Sequence, residues 1–147
     1  MGRDNPFMTA ATHIAFSAED AALAALALLA ALEPDGQESL SGFLPLCPQI
    51  DAARAALVVP LIADMAGAPD GVEAVLELIA DALPPAMADT AYLLAADFVS
   101  ACGTSLPEQI RLLERLGDAI RLDRLTRAAL DRAALARSRD FKQGTAS

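Results

Sequence analysis

The sequence contains few of the residues on which catalytic and metal sites most often depend. Its 147 residues include one histidine (His13), one tyrosine, two cysteines and no tryptophan. Histidine catalysis would therefore depend on His13 alone, and a zinc site of cysteine and histidine lacks ligands. The sequence also offers no nucleophile paired with a base and no glycine-rich phosphate loop. These absences predict a protein that is not an enzyme and has no cofactor.

β-Branched and aromatic residues, which pleated sheets favour, are also scarce, and aromatic residues make up only 4% of the chain. The chain instead contains 34 alanines and 23 leucines, the strongest helix formers. Its length is that of one domain and suffices to bury a core without disulfides or a structural metal. The composition predicts an all-α fold, a compact bundle of six to seven helices.

Positive charge is scarce in the first two thirds of the chain. Residues 1–100 hold 14 acids against two arginines, residues 101–147 hold nine basic residues against six acids, and the net charge is −9. Such a charge argues against nucleic acid as a partner. The asymmetry has three interpretations: an acidic binding surface, ion pairing between the two parts, or solvated helix faces.

Long hydrophobic runs are absent as well. The apolar run Ala21–Leu32 has 12 residues, too few for the ~20 that span a bilayer, and acids rather than basic residues precede it. Cys47 and Cys102 lie 55 positions apart, and nothing in the sequence indicates export. We therefore expect a cytoplasmic protein with two reduced, mostly buried thiols.

Capping and helix-breaking residues divide the chain into helices. The predicted N-caps are Ser17, Asp51, Asp70, Ser105 and Asp123. The long helices are expected at about 18–32, 52–65, 72–83, 85–101, 106–120 and 124–139, with at most a short helix within 37–49. The predicted division is a loosely ordered segment (1–16), one helical domain (17–139) and a frayed tail (140–147).

Three further expectations concern particular positions. Pro60 should kink or split the second long helix, because it removes a backbone donor. Tyr92 is expected in the core with its hydroxyl bonded to the backbone. Ala21–Gly36 and Tyr92–Gly103 each combine an apolar helix with a glycine turn. They suggest two helix–turn–helix halves related by a pseudo-two-fold axis, with chance similarity as an equal alternative.

Three blocks in the second half of the chain resemble the tellurite-resistance TerB-like family. The blocks are Asp70-Gly71 through Leu83-Pro84-Pro85, Asp89-Thr90-Ala91-Tyr92, and Arg111-Leu112-Leu113-Glu114 through Leu122-Asp123-Arg124-Leu125. Their order and spacing are similar to the family pattern, and the resemblance covers residues 17–139. It implies an all-α fold of two related halves and a cytoplasmic, non-enzymatic role in tellurite-resistance or stress-response systems.

The resemblance also implies a divalent-cation site made by acids at two interhelical turns. Asp35, Glu38 and Glu108 are the acids that remain near these turns. Cys102 and Gln109 stand where the family carries acids, and neither supplies the anionic oxygen that a hard cation prefers. We therefore predict a weakened or lost site that binds a divalent cation weakly at most.

The function that follows is a TerB-like helical module that docks an unidentified protein partner, as a monomer or homodimer, in a tellurite-resistance or stress-response assembly. One alternative is a small-molecule-binding domain, which needs polar groups that converge on an apolar pocket. The other is association with a membrane surface through the basic C-terminal helix. Four acids argue against the membrane because they dilute that charge: Asp118, Asp123, Asp131 and Asp140.

Overall fold

The computed structural model describes residues 16–102 and 106–138, and no strand occurs among them. The helices are α1 (Ala18–Ala31), α2 (Gly36–Phe43), a 3-10 turn (Leu44–Leu46), α3 (Ala52–Ala66), α4 (Gly71–Ala82), a second 3-10 turn (Pro85–Met87), α5 (Ala88–Cys102), α6 (Pro107–Ala119) and α7 (Arg124–Ser138). The described residues thus form seven α-helices, and the prediction of an all-α bundle is confirmed. The predicted frayed tail and nearly all of the predicted loose segment lie outside the described residues.

Helix α1 is the centre of the bundle. Every residue from Asp20 to Ala30 is buried, because the helix packs against all of α2 through α6. Its alanines present small side chains to these neighbours, and small side chains at a contact allow helices to approach closely. The near absence of polar residues after Asp20 predicts burial on most sides, and the structure confirms it.

The caps of three helices agree with the sequence. Ser17 and Asp20 form a reciprocal capping box at the start of α1, and the Asp51 carboxylate accepts from the backbone N–H of Ala53 at 3.2 Å. Asp123 likewise accepts from the N–H of Thr126 at 2.8 Å. The prediction for Asp70 is wrong: its side chain makes no capping bond, because its backbone is left-handed with φ 57°. Ser105 lies outside the described residues.

Pro60 does not split α3, which continues from Ala52 to Ala66. Pro60 is exposed, and so is Ala56, whose carbonyl oxygen loses its helical partner to the proline ring. Water can satisfy that oxygen on the exposed side of the helix, so the helix tolerates the proline.

A short repeat links the first four helices. Pro-Asp-Gly occurs at 34–36 and again at 69–71, each time at the turn into the second helix of a pair. The glycines are required, since an added Cβ would lie 1.7 Å from the carbonyl oxygen of Ala30 at Gly36 and of Met65 at Gly71. The repeat in the structure is therefore α1–α2 with α3–α4. The predicted second half ends at Gly103, outside the described residues.

Helix α7 is the most peripheral element. It packs mainly against α5, and Ala134 is its single buried residue. Tyr92 of α5 is buried as predicted, but its hydroxyl donates to the Asp131 carboxylate of α7 at 2.8 Å rather than to the backbone. The correction follows from the position of α7, which brings a carboxylate within reach of the ring. None of the described helices combines the length and the apolar character needed to cross a membrane.

Candidate functional site

The three predicted cation ligands are all exposed. Asp35 precedes α2, Glu38 lies in the first turn of α2, and Glu108 lies in the first turn of α6. Glu108 lines a cavity of about 480 Å³ beside Arg111 and Arg115, whose positive charges oppose cation binding there. Residues 16–102 and 106–138 contain no group of three or more histidine, cysteine or acidic side chains that could hold a metal ion. The cation site stays a prediction.

Gln109 and Cys102, the two residues that depart from the pattern implied by the resemblance, differ in burial: the first is fully buried and the second is partly buried. Gln109 of α6 is fully buried, and its side-chain N–H donates to the carbonyl oxygen of Leu29 at 3.5 Å. Its Oε1 is buried without a hydrogen-bond partner, and so is Oε2 of Glu33. Two buried acceptors without donors are costly, so this part of the bundle is less stable than a fully paired core would be.

Cys102 forms a polar cluster with Glu33 and Ser39. Burial, a hydrogen bond with Glu33 and the negative charge of Glu33 together raise the pKa of the Cys102 thiol to about 12, although a contact with Ser39 opposes the rise. Burial and Asp97 also raise the pKa of Cys47. Both cysteines are free thiols, and Cys47 is buried while Cys102 is partly buried. A thiol that keeps its proton is a poor nucleophile and a poor metal ligand.

An apolar groove crosses the surface between the first 3-10 turn, α5 and α7. We call it the Leu46 groove, and its volume is about 540 Å³. Its lining is Phe43, Leu46, Cys47, Pro48, Gln49, Thr90, Leu93, Leu94, Asp97, Ala101, Ala134, Arg137 and Ser138. Leu46 is 77% exposed at its edge. Five polar residues also line the groove, and two of them, Asp97 and Arg137, form an ion pair of 2.8 Å at its rim.

One wall of the Leu46 groove packs against the core, and the apolar surface continues past the groove on the side away from α7. Phe43 holds α2 against α5 through an edge-to-face contact with Phe98, with the ring centroids 5.4 Å apart. A smaller cavity of about 270 Å³ shares Phe43, Leu46 and Ala101 with the groove and ends at Ser39 and Cys102. The apolar surface therefore continues along α2 toward the polar cluster.

Some carboxylates of the first hundred residues pair with arginines of residues 101–147, and others are exposed. Arg115 pairs with Glu73 at 2.6 Å and Arg137 with Asp97, so ion pairing between the two parts of the chain exists. Most of the other acids remain exposed. Among the described residues up to position 100, eight exposed carboxylates take part in no ion pair: Asp35, Glu38, Asp51, Asp64, Asp70, Glu77, Asp81 and Asp89. The surface of this part is accordingly acidic.

Sequence reasoning drew attention to Cys102 and Gln109 but did not identify Glu33 as the partner of Cys102 or Leu46 as an exposed residue beside a groove. The sequence did contain a signal for Glu33, because this acid directly follows the apolar run Ala21–Leu32, most of which is buried. Leu46 carried a weaker signal, a leucine between two prolines in a segment too short for a long helix.

Comparison of this chain with models of known protein families, with curated proteins and with solved protein structures gives no match. The resemblance carried by the three sequence blocks therefore stays a prediction.

Proposed function

We propose that this protein is a docking module, not an enzyme, and that it binds a partner protein in the Leu46 groove. The observation that carries the proposal is Leu46 itself, a large apolar side chain that is 77% exposed beside an apolar groove. Exposed apolar surface of this kind marks interaction sites, and a buried apolar anchor supplies much of the energy of an interface. A partner side chain in the groove would cover Leu46.

The occupant that fits best is an apolar segment flanked by basic residues. Residues 1–100 carry 14 acids against two arginines, and eight exposed carboxylates among the described residues of this part form no ion pair. A basic partner would meet a complementary potential and associate faster than a neutral one. Because these acids are exposed, added salt should weaken the association.

Two further features support a non-enzymatic role. The thiol of Cys102 keeps its proton at neutral pH, since burial and Glu33 raise its pKa to about 12. The three sequence blocks add the expectation that the partner belongs to a cytoplasmic tellurite-resistance or stress-response assembly. In that setting the module would recruit or position another protein, and divalent cations would bind weakly at most.

The test is affinity capture with two matched variants. Leu46→Asp places a charge at the edge of the groove, whereas Leu57→Asp makes the same change at a leucine of α3 that is 51% exposed and does not line the groove. We expect the wild-type protein and the Leu57 variant to capture the same partner from cell extract, and the Leu46 variant to lose it. Retention of that partner by a folded Leu46 variant would contradict the proposal.

A second candidate function is small-molecule binding, and a different groove favours it. A cavity of about 580 Å³ lies between α2, the first 3-10 turn and α3, and its lining contains no charged side chain. Its volume is that of a ligand site, and Leu40, Ile50 and Val59 supply apolar walls. An apolar fluorophore should bind the wild-type protein and Ala53→Trp but not Ala56→Trp, because Ala56 lines this cavity and Ala53 does not.

A further inference from the structure

Helix α7 carries a second apolar surface on the side that faces away from the bundle. We call it the outer face of α7, and it consists of Leu125, Ala128, Ala129, Arg132, Leu135 and Ala136, all exposed. Leu125 is 85% exposed and Leu135 49% exposed, and together with the alanines between them they form a continuous apolar stripe. The opposite side of the helix, with Ala134 buried and Leu130 partly buried, packs on the bundle. Much of the surface of the two leucines is therefore left uncovered by the bundle.

The spacing of this face is that of a helix–helix seam. Leu125, Ala128, Arg132 and Leu135 follow one another at intervals of three, four and three residues, as the a and d positions of heptads do. Alanine between the leucines leaves room for the backbone of a second helix to approach. The shape thus suits one amphipathic helix laid along α7.

The charge of this surface is positive. Arg132 lies in the middle of the outer face and Arg124 at its start, and both are exposed. Neither belongs to an ion pair in the part of the chain that the structure describes. Asp131, the only acid of α7 within its described range, is exposed and borders this face on the same side as Arg124, but its carboxylate accepts the hydroxyl hydrogen of Tyr92.

We propose that the outer face of α7 binds an acidic amphipathic helix of another protein. The partner helix would cover Leu125 and Leu135 with apolar residues at heptad spacing and place a carboxylate against Arg132. A buried guanidinium needs such a partner, because an unpaired charge in an interface is costly. This site goes beyond the Leu46 groove, which uses the other side of α7, and it does not depend on that groove.

Charge also argues against the two other occupants. A second copy of α7 would bring Arg132 to the seam twice, and Asp131, the only acid of α7 within its described range, already accepts a hydrogen bond from Tyr92. A membrane surface would meet an arginine in the middle of the apolar face, between two leucines and without an aromatic residue, where an interfacial helix carries its most apolar side chains.

The test uses two designed helical peptides of about three heptads, both with leucine at a and d. One carries glutamate at e and g and the other carries lysine. Binding to the whole protein is followed by fluorescence anisotropy. We expect the wild-type protein to prefer the acidic peptide by roughly tenfold or more. Arg132→Glu should reverse the preference, and Arg111→Glu, the same charge change at an exposed arginine of α6, should leave it.

Three results would overturn the proposal. The first is equal or absent binding of the two peptides to the wild-type protein. The second is a concentration-dependent dimer in sedimentation that Leu125→Asp abolishes, which would assign the face to a second copy. The third is binding to vesicles of phosphatidylglycerol and phosphatidylcholine that Arg132→Glu abolishes, which would assign it to a membrane.

Discussion

Asp20→Asn tests the only charged side chain that is fully buried in the described part of the chain. The Asp20 carboxylate accepts hydrogen bonds of 2.6 Å from both Nε and a terminal nitrogen of Arg54, and one of 2.9 Å from the N–H of Ser17. Asparagine keeps the shape of the side chain and one acceptor oxygen for Ser17, so the substitution changes little besides the charge. Its amide nitrogen would then face the guanidinium, donor against donor.

The expected loss follows from the burial of this pair. Removing one partner of a fully buried ion pair costs about 3–5 kcal/mol. The Arg54 side chain is 26% exposed, so water recovers part of the loss, and we expect about 2–3 kcal/mol. A chain of this length loses about 2–4 °C in Tm per kcal/mol, so the Tm should fall by about 4–12 °C. Thermal unfolding followed by circular dichroism measures the change.

Glu73→Gln is the matched control. Its pair with Arg115 has the same 2.6 Å separation as the Asp20–Arg54 pair, but its side chains are 58% and 40% exposed. Exposed pairs contribute little because solvent screens them, so the Tm should change by a few degrees at most. A loss at Asp20 no larger than the loss at Glu73 would refute the reasoning, because burial would then not set the cost.

The same variant predicts a pH dependence. Burial alone raises the pKa of Asp20, but the hydrogen bonds and charge of Arg54, with those of Ser17, outweigh it and hold the pKa below the ordinary value of 3.8. A lowered pKa gives stability that is present above the ordinary value and lost as the pH falls through the folded-state value. The difference between wild type and variant should therefore stay constant from neutral pH to about pH 5 and shrink below about pH 3. A difference that persists in acid would contradict this cause.

Three other changes have predicted signs. Gly36→Ala and Gly71→Ala should each lower the free energy of unfolding by about 2 kcal/mol or more, because the new Cβ would lie 1.7 Å from a carbonyl oxygen. Gly42→Ala, with open space around the new Cβ, should raise the free energy of unfolding by about 0.5–1 kcal/mol. Equal effects of the three substitutions in urea unfolding would contradict this. Arg121→Gly should stabilise by up to about 1 kcal/mol, since Arg121 ends α6 in the left-handed conformation with φ 61°, and an unchanged urea midpoint would contradict it. Gln109→Met should stabilise by about 1 kcal/mol by removing a buried acceptor without a donor, and a fall in Tm would show that a donor is present.

The candidate site was only partly predictable. Glu108 and Gln109 are neighbours in sequence, yet the first is exposed and the second is fully buried. Successive residues on a helix point about 100° apart, so one step along the chain moves a side chain from solvent to core. The resemblance identified both positions but could not distinguish them by burial. Whether Asp35, Glu38 and Glu108 bind a cation stays a prediction.

The surfaces that carry the two docking proposals illustrate a different limit. Leu125 and Leu135 repeat at spacings that the sequence displays, but so do the leucines of α1, all of which are buried. An apolar stripe indicates that a helix has an apolar side, but it does not indicate whether another helix covers that side. The exposure of Leu125 depends on α7 packing mainly on α5, which is a property of the assembled bundle.

The sequence by itself determined where three of the described helices begin. Ser17, Asp51 and Asp123 cap their helices, and Pro34 through Gly36 form the turn between α1 and α2. Capping and helix-breaking residues act on the backbone within one turn, so the local sequence is enough to place them. The tertiary structure alone decided which distant side chains meet: Asp20 with Arg54 across 34 positions, Tyr92 with Asp131 across 39, and Gln109 with Leu29 across 80. Such contacts depend on the angles and distances at which helices pack, and those are set by the side chains of every neighbour at once.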